Sequence, residues 1–414
     1  METTVDIVIV GGGIAGLATS LGLHRLGLQS LVLESSESLR VTGFVLTLWT
    51  NAWRALDALG IADSLRQHSL PITEFQVFSA DSGLPTAAIP LQAHKNHRHF
   101  ESRCMRRKVL LETLHKELPK GTIRYSSKVV MIEESGLFKL VHLADGSIIR
   151  TKVVIGCDGV NSVVAKWLGL QNAVDSKRSA IRGFVEFPEK HGYEPKVYAF
   201  FGGGVRFGFL PCDETGLYWF CTYNQSIAHF DENAEQDPVK LKEFVLSKTR
   251  DVSKEVTGIL ERTPLDCISS AKLKLRLPWN VLLGDITRSN ICVAGDALHP
   301  MTPDLGQGGC SALEDSIILS RCLAEAFLAK PRGDIADDQN ANEEFNRIKK
   351  ALDKYAKERR WRSALLITGA YLTGFIQESN NKVISFLREK FLARYTLRIV
   401  LSVADFDCGK LLLS

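Results

Sequence analysis

The sequence predicts an α/β fold: a Rossmann-like domain, an inserted antiparallel β-sheet and C-terminal helices. Three observations lead to this prediction. Residues 5–10 form a β-rich run that leads into Gly11, Gly13 and Gly16 and then into a helical pattern. Short aromatic strands separated by Gly, Pro and Asp turns follow from about residue 177. A later apolar strand ends in Gly295-Asp296, so we expect the chain to return to the domain that it left.

Length and composition indicate a globular protein of enzyme size. The 414 residues, 45% of them hydrophobic, suffice for a large core and for two to three domains of roughly 150 residues each. The net charge of +4 is small and the basic residues are dispersed, which argues against a nucleic-acid partner. Nine cysteines without a CxxC pair indicate reduced thiols, no metal-ligand grouping is discernible, and a strand begins almost at residue 1. We therefore expect a cytoplasmic protein without a targeting peptide or a membrane-spanning segment.

The first forty residues predict a βαβ unit. Residues 14–26 have apolar side chains at helical spacing, and residues 29–34 form a second strand. The three glycines between strand and helix let the backbone turn tightly and approach a pyrophosphate, which the free N–H groups at the helix N-terminus attract. Glu34, at the tip of the second strand, is placed to accept both hydroxyls of an adenosine ribose. The unit therefore predicts a bound dinucleotide.

Helices and strands are both predicted in the next part of the chain, and the inserted sheet comes after them. Helices are predicted over residues 51–59 and 106–118, and strands over 128–133, 137–143 and 147–155, with Asp145-Gly146 as a hairpin turn. The inserted sheet is predicted from strands at 180–187, 196–201, 205–210 and 217–223. Two helices are predicted to follow it, the first starting near residue 237 and the second spanning 253–260. A strand at 290–294 precedes the second glycine motif, and residues 331–342 are predicted to form a polar surface loop.

The last strand of the inserted sheet has two different faces. Leu217, Trp219, Cys221 and Tyr223 alternate along it with Tyr218, Phe220 and Thr222. We expect one face to pack on helices and the other to line a cavity. The aromatic side chains of this region are candidates for a dry cavity wall or for ordinary core; they are Phe207, Phe209, Trp219, Phe220 and Tyr223.

The second glycine motif indicates which dinucleotide is bound. Asp296, at the end of an apolar strand, is suited to hydrogen-bond a ribityl hydroxyl. Gly306, Gly308 and Gly309 begin a helix whose positive end suits the negative N1–C2=O edge of an isoalloxazine. A plain NAD dehydrogenase has no need of this second motif, so the pair predicts FAD.

Three motifs together resemble a known family. They are Gly11-x-Gly13-x-x-Gly16, Cys157-Asp158-Gly159-x-x-Ser162, and Gly295-Asp296-Ala297-x-His299-Pro300 followed by Gly306-Gln307-Gly308. The set resembles the class A flavoprotein aromatic hydroxylases, the group of para-hydroxybenzoate and salicylate hydroxylases, and looks closest to plant monooxygenases grouped with 3-hydroxybenzoate 6-hydroxylases. The resemblance implies an FAD-binding domain of the glutathione-reductase type with an inserted substrate domain. It also implies that NAD(P)H reduces FAD and that O₂, held as a flavin C4a-hydroperoxide, hydroxylates a small aromatic or related apolar substrate.

The resemblance also assigns roles to single residues. Asp158 is expected to contribute to FAD and NAD(P)H binding, Arg107 to contact the ribityl-pyrophosphate side, Val129 to contact adenine through its backbone, and Arg40 to reach the flavin. With the motif residues, the predicted cofactor-binding set is Gly11, Gly13, Ala15, Gly16, Glu34, Arg40, Arg107, Val129, Asp158, Asp296, Gly306, Gly308 and Gly309. A histidine such as His299 can act as a general base toward a phenol, but the following Pro300 favours a loop-shaping role.

The sequence departs from the family pattern at two places. Ala165 and Lys166 stand where many members have an arginine, which puts the nicotinamide contact in question. Phe44 and Val45 follow Gly43 where small residues are usual, and we expect them to narrow the site near the flavin or to alter flavin movement.

The predicted domain organisation alternates between two units. The FAD-binding domain is assigned to residues 1–75, 101–176 and 288–370, the substrate domain to 76–100 and 177–287, and a C-terminal helical extension to 371–414. Residues 382–404 are apolar with interspersed arginines and lysines, and they either pack on the protein or make a weak peripheral membrane contact.

Two other functions stay open at this point. The same fold includes FAD-dependent epoxidases and reductases of isoprenoid-type substrates. A non-catalytic flavin-fold protein that binds a lipid or a partner is the other alternative. Retention of Asp296 and of the Gly306 to Gly309 loop argues against the second.

Overall fold

The structure is a computed structural model that describes residues 2–41, 43–79, 83–91, 100–202, 204–228, 236–250, 252–329, 337–378 and 393–412. The strands are β1 (Glu2–Val10), β2 (Leu31–Leu33), β3 (Val45–Trp49), β4 (Glu74–Ser79), β5 (Pro85–Pro90), β6 (Ser102–Arg106), β7 (Ile123–Arg124), β8 (Val129–Ser135), β9 (Phe138–Leu143), β10 (Ile148–Gly156), β11 (Val174–Glu186), β12 (Lys196–Gly202), β13 (Val205–Pro211), β14 (Gly216–Asn224), β15 (Ile268–Leu275), β16 (Thr287–Arg288) and β17 (Ile291–Val293).

The helices are α1 (Ile14–Arg25), α2 (Thr50–Leu59), α3 (Ala62–Arg66), α4 (Arg107–Lys116), α5 (Val163–Trp167), α6 (Pro238–Thr249), α7 (Lys254–Arg262), α8 (Pro278–Leu283), α9 (Gly308–Phe327), α10 (Asp337–Glu378) and α11 (Ala393–Ala404). None of the helices within the described ranges combines the length and the apolar character needed to cross a lipid bilayer.

The first sheet has a parallel centre. Its strand order is β16-β17-β10-β1-β2-β7, and β9 pairs with both β10 and β8. The pairs β17 with β10, β10 with β1, β1 with β2, and β2 with β7 are all parallel. The chain leaves this sheet after β10 and returns to it with β16 and β17, of which β17 lies directly beside β10. The α/β fold and the Rossmann-like βαβ start are confirmed.

The second sheet is the insertion, and its order is β15-β11-β14-β13-β12-β4-β5. Its pairs are antiparallel except that β12 runs parallel to β4, a long-range pairing that the strand pattern alone does not encode. Leu217, Trp219, Cys221 and Tyr223 are buried in one cluster with residues of α6 and α7. Tyr218, Phe220 and Thr222 line a cavity on the opposite face. Both halves of the prediction for this strand are therefore confirmed.

One sequence prediction is wrong. The polar loop expected over residues 331–342 is helical from Asp337 onward, because α10 begins there and runs for 42 residues; residues 331–336 lie outside the described ranges. The polar residues form the outer side of a helix that packs on α9. Gln339 and Asn342, for example, are exposed. Polarity there reflects a solvent-facing helix surface rather than a loop.

Candidate active site

Three separated motifs meet at the carboxyl ends of the parallel strands. The N–H of Cys157 donates to the carbonyl of Val10 at 2.7 Å, and the N–H of Ala294 donates to the carbonyl of Gly156 at 2.9 Å. The fingerprint glycines, the Cys157-Asp158 turn and the Gly295-Asp296 turn therefore lie at one edge. This edge is where ligands bind in open α/β sheets.

The fingerprint glycines differ in what surrounds them. A Cβ on Gly11, which has a φ of +105°, would lie 2.9 Å from Asp158 Cα. A Cβ on Gly16 would overlap the carbonyl oxygen of Gly11. Gly13, by contrast, has no protein atom within 4 Å of its Cβ position. The chain is thus closely packed behind the turn and open in front of it, at the N-terminus of α1.

That open space fits a pyrophosphate. Gly13 is the N-cap residue of α1 and no side chain caps this helix, so its first N–H groups point outward without a side-chain acceptor. Uncapped N–H groups at a helix N-terminus form an anion site together with the positive end of the helix dipole. The residues present therefore match the group that the fingerprint predicts.

Glu34 lies beside this turn. Its carboxylate accepts the N–H of Gly12 at 2.8 Å and that of Ser36 at 2.9 Å. Burial by itself would raise the pKa of Glu34, but these donors and the charge of Arg40 outweigh it and hold the pKa below the ordinary value. The side chain is therefore a fixed carboxylate with spare lone pairs, as ribose hydroxyls require.

The other residues expected around the adenosine are close to Glu34. The N–H of Ser127 donates to the carbonyl of Glu34 at 2.8 Å, and Val129 follows two residues later as the first residue of β8. Arg40 is exposed and interacts electrostatically with both Glu34 and Arg107. Arg40 thus lies between the adenosine side and the flavin side of the predicted site.

Asp158 is held by its own turn. It accepts the Ser162 hydroxyl at 2.5 Å and the N–H of Val163 at 2.7 Å. Burial raises the pKa of Asp158 in spite of these bonds. Its backbone supports Gly11, so Asp158 is placed to shape the phosphate turn, and the structure shows its carboxylate engaged locally.

The two glycine motifs touch each other. A Cβ on Gly295, which has a φ of +60°, would lie 2.8 Å from the Cβ of Ala15. Helix α9 also packs along α1, where the Ser316 hydroxyl donates to the carbonyl of Ala15 at 3.1 Å. The close approach of α1 and α9 requires small residues here, and it brings both helix N-termini to one region.

Arg107 and Asp296 both border the space in front of α9 and interact electrostatically. Both line the same cavity as Gly306, Gly308 and Gly309. Burial lowers the pKa of Arg107, with Asp296 opposing the effect. Arg107 Nε is buried without a hydrogen-bond partner, and Asp296 makes no hydrogen bond, in the part of the chain that the structure describes. An orphaned donor and a free carboxylate facing one space fit a polar ribityl chain.

The cavity has a volume of about 400 Å³, a size suited to a small molecule. One side is the loop that precedes α9 and the opposite side is the inner face of the second sheet. Its aromatic lining consists of Phe44, Trp49, Phe75, Phe201, Tyr218 and Phe220. Of the five aromatics considered from sequence, Phe220 lines the cavity. Phe207, Phe209, Trp219 and Tyr223 belong to the buried cluster on the other face.

A buried ion cluster that sequence reasoning missed ties this loop to the second sheet. Asp304, whose side chain is fully buried, binds Arg178 of β11 at 2.8 Å and Arg206 of β13 at 3.1 Å. Burial would raise the pKa of Asp304, but the two guanidinium groups hold it below the ordinary value. The one signal in the sequence was an acidic residue two positions before Gly306. The two arginine partners of Asp304 lie far away along the chain, and nothing in the sequence around them indicates this contact.

His299 does not line the cavity. It is fully buried, with Nε2 at 2.7 Å from Asp315 and 3.2 Å from the Ser311 hydroxyl. Asp315 also accepts the N–H of Gly295 at 2.7 Å and is bound by Arg359. His299 is therefore placed behind the Gly295-Asp296 turn, where it supports the turn's shape.

The two departures from the family pattern are also placed. Phe44 and Val45 line the cavity beside Gly43, and the carbonyl of Phe44 accepts the N–H of Arg107 at 2.9 Å. Ala165 is buried in the core under α5, whereas Lys166 is exposed on the same helix. The bulk at residues 44 and 45 thus occupies the side of the cavity next to Arg107.

Comparison with known proteins agrees with this geometry. Residues 4–341 match the family model described as an FAD binding domain. The chain is 50% identical to Monooxygenase 2 of Arabidopsis thaliana over 411 residues, covering 99% of both proteins. It is 37% identical to Monooxygenase 1 of the same plant, covering 98% of this chain and 99% of that protein.

A solved structure gives the same fold at lower identity. Klebsiella pneumoniae HpxO in complex with FAD and uric acid superposes with a TM-score of 0.81 at 20% identity, covering 98% of this chain and 96% of that chain.

Proposed function

The chain belongs to the FAD-binding-domain family of flavin monooxygenases, and from this premise we propose that it uses NAD(P)H and O₂ to hydroxylate a small aromatic or related apolar substrate. The observation that carries the proposal is that one cavity is lined both by the predicted flavin loop and by an aromatic face of the second sheet. Uric acid, bound by the HpxO structure, is a small heteroaromatic molecule of this kind. Hydroxylation requires such a ring to lie next to the flavin.

We propose the following residues for FAD. Gly13 and the N-terminus of α1 hold the pyrophosphate, and Glu34 holds the adenosine ribose. Arg107 and Asp296 bind the ribityl region, and the N-terminus of α9 faces the isoalloxazine. Bound FAD supplies the reduction and oxygen-transfer chemistry.

The protein's own contribution is to orient the substrate and exclude water. Tyr218 and Phe220 form the sheet side of the cavity, and Trp49 and Phe75 stack at a centroid distance of 6.0 Å across its other end. Apolar walls keep water from the reacting atoms and hold an aromatic ring in few orientations. We assign His299 a positioning role, because its ring is enclosed behind the turn. Phe44 and Val45 narrow the flavin side.

The proposal has a direct test. Protein purified with FAD should be yellow, its NADH or NADPH consumption should rise with a matching aromatic acid, and the product should contain one atom from ¹⁸O₂. Reduction of the substrate without ¹⁸O would favour an isoprenoid-type reductase. Failure of both nicotinamides to reduce the flavin would favour a non-catalytic binding protein.

Phe220→Ala should uncouple the reaction. Removing this ring leaves a gap in the apolar wall of the cavity. It also removes the cation-π contact with Arg206, whose guanidinium lies 5.0 Å from the ring centroid. We expect the fraction of reductant lost as H₂O₂ to rise several-fold while FAD stays bound. Phe244→Ala is the control, because it removes a ring of α6 that contacts Tyr223 on the opposite face of the sheet. Equal coupling in both variants would contradict the role of the wall.

We also propose a weak peripheral contact with anionic membranes. The exposed stripe of α10 is charged up to Glu358 but apolar afterwards, with Trp361 72% and Leu365 57% exposed. Leu283 of α8, a helix that packs on α10, is 85% exposed. Residues 361–404 include six Lys or Arg and two Glu, which complements an anionic surface. Of the segment singled out from sequence, residues 382–392 lie outside the described ranges.

Vesicle sedimentation tests this contact. The protein should pellet with phosphatidylserine-containing vesicles more than with pure phosphatidylcholine vesicles, and added salt should release it. Leu365→Asp should abolish pelleting, whereas Val130→Asp, at another exposed apolar residue, should not. Binding that is insensitive to Leu365→Asp would place the contact elsewhere.

A further inference from the structure

Two cysteines that are distant along the chain meet behind the cavity. The Sγ atom of Cys104, on β6, lies 2.8 Å from the Sγ atom of Cys212, which directly follows β13. The two residues are 0% and 1% exposed, so both thiols are enclosed in the protein. Strand β6 precedes the helix that begins with Arg107, whereas β13 belongs to the second sheet. The pair therefore joins the predicted flavin side of the molecule to the inserted sheet.

The backbone on both sides holds the two sulfurs in place. Cys104 pairs with Thr47 of β3 in a short antiparallel sheet. The N–H of Cys212 donates to the carbonyl of Gly216 at 2.9 Å, and the carbonyl of Cys212 accepts the N–H of Leu70 at 3.2 Å. A disulfide has an S–S distance of about 2.05 Å, so bond formation requires the two sulfurs to approach each other by less than about 1 Å.

The pair lies next to residues of the cavity wall. Thr47, opposite Cys104, lines the cavity, and so does Leu210, two residues before Cys212. Tyr218 lines the cavity too, and it interacts electrostatically with both thiols. Side chains that border the cavity are thus the immediate neighbours of the pair, and an oxidant formed in the cavity arises close to the two sulfurs.

The pair is poorly reactive toward a dilute oxidant. Burial and the adjoining Cys212 raise the pKa of the Cys104 thiol, and a protonated thiol is a weak nucleophile. Oxidation therefore requires hydrogen peroxide at a high local concentration. The proposed reaction releases hydrogen peroxide inside the cavity whenever oxygen is not transferred to a substrate.

We propose that Cys104 and Cys212 are a peroxide-sensitive modification site, at which hydrogen peroxide forms a disulfide between β6 and the second sheet. One sulfur attacks the peroxide: an S–O bond forms, the O–O bond breaks and water leaves. The other sulfur attacks the resulting sulfenic acid: the S–S bond forms, the S–O bond breaks and a second water leaves. Each sulfur loses one electron to the peroxide, and the two waters take up the thiol protons. The proposed function supplies only the source of the peroxide.

Added hydrogen peroxide tests the site in the FAD-loaded protein. After alkylation of the remaining thiols, mass spectrometry of a non-reducing digest should show one peptide pair that joins Cys104 to Cys212. The thiol count should fall by two from nine, and dithiothreitol should restore it. The melting temperature of the linked protein should rise by several degrees, because the bond closes a loop between residues 108 positions apart.

Three alanine variants show whether this pair is responsible. Cys104→Ala and Cys212→Ala should each yield no linked peptide and no rise in melting temperature. Cys408→Ala is the matched control, because it removes another buried thiol, one whose Sγ contacts the carbonyl of Gly409 at 3.9 Å. This variant should form the linked peptide as the wild type does.

A second arm tests the source of the peroxide. Incubation with NADH or NADPH and O₂ in the absence of substrate should produce the same linked peptide. The inference is overturned if added peroxide joins other cysteines, or if it oxidises the partly exposed Cys267 while Cys104 and Cys212 stay unlinked. Linkage by added peroxide but not by turnover would overturn the proposed source and leave the thiol pair standing. Failure of the proposed function would be recognised separately, because neither nicotinamide would then be oxidised.

Discussion

Gly13→Ala is expected to weaken FAD binding by about 100-fold, which corresponds to about 2.7 kcal/mol, while the apoprotein remains as stable as the wild type. The reason is that a methyl group on Gly13 meets no protein atom within 4 Å, and its φ of −81° suits alanine. The methyl group would instead occupy the space proposed for the pyrophosphate. Titration of the apoprotein with FAD, followed by quenching of flavin fluorescence, measures the affinity.

Gly258→Ala is the control for this prediction. Gly258 lies inside α7 with open space at its Cβ position, so alanine there should keep FAD binding and stabilise the helix by up to about 1 kcal/mol. Substitutions of Gly11 or Gly16 are less informative, because their Cβ atoms would collide with backbone and destabilise the apoprotein too. Tight FAD binding by Gly13→Ala would place the pyrophosphate elsewhere.

Arg359→Met is expected to lower the free energy of unfolding by about 3–5 kcal/mol. Arg359 is fully buried on α10 and binds two fully buried carboxylates of α9, Asp315 at 2.5 Å and Glu314 at 2.7 Å. Removing it takes away the cation that both carboxylates share in a region without water access, and leaves Asp315 with His299 and Glu314 with Arg362. Thermal or denaturant unfolding measures the change. FAD should also bind more weakly, because Asp315 holds the Gly295 turn.

The surface pair of Lys354 and Glu325 provides the matched comparison. Lys354→Met removes a pair of similar length, 2.8 Å, in which the two side chains are 49% and 31% exposed, and we expect a loss of at most about 1 kcal/mol. A loss of that size in Arg359→Met as well would show that the buried cluster adds little to stability.

The same cluster predicts how stability depends on pH. Burial would raise the pKa values of both buried carboxylates. Arg359 and Arg362 nevertheless hold the pKa of Glu314 below its ordinary value, and His299 and Arg359 do the same for Asp315. A carboxylate with a lower pKa in the folded protein stabilises the fold above its unfolded pKa of about 4 and loses that contribution as the pH falls through the folded value. The wild-type melting temperature should therefore fall below about pH 5, and more steeply than a surface pair would cause.

Much of the cofactor site was predictable because its signals are local. The turn at Gly11 to Gly16 needs particular residues at fixed spacing, and Glu34 follows on the very next strand. Alternation along residues 217–223 predicted that one set of side chains would face helices and the other set a cavity. In each case the physical requirement, a backbone conformation or a pleat with a period of two, lies within one short segment.

Other features depend on partners that are distant along the chain. Phe207, Phe209 and Phe220 are all aromatic residues in strands, and only sheet packing decides that Phe220 alone of these faces the cavity. The polar run before Glu344 became a helix because α9 offered a surface to pack on. Nothing near Asp304 in the sequence indicates Arg178 or Arg206.

The sequence by itself determined the βαβ unit, the dinucleotide turn and the second glycine motif, since local backbone geometry and hydrophobic periodicity are properties of consecutive residues. Only the tertiary structure decided that Asp304 binds two arginines, whereas Arg182 of β11, in the cavity wall, makes no hydrogen bond or ion pair with any described residue. The physical reason is that charge compensation depends on distances across the folded chain, and these are set by how the two sheets and α10 pack together.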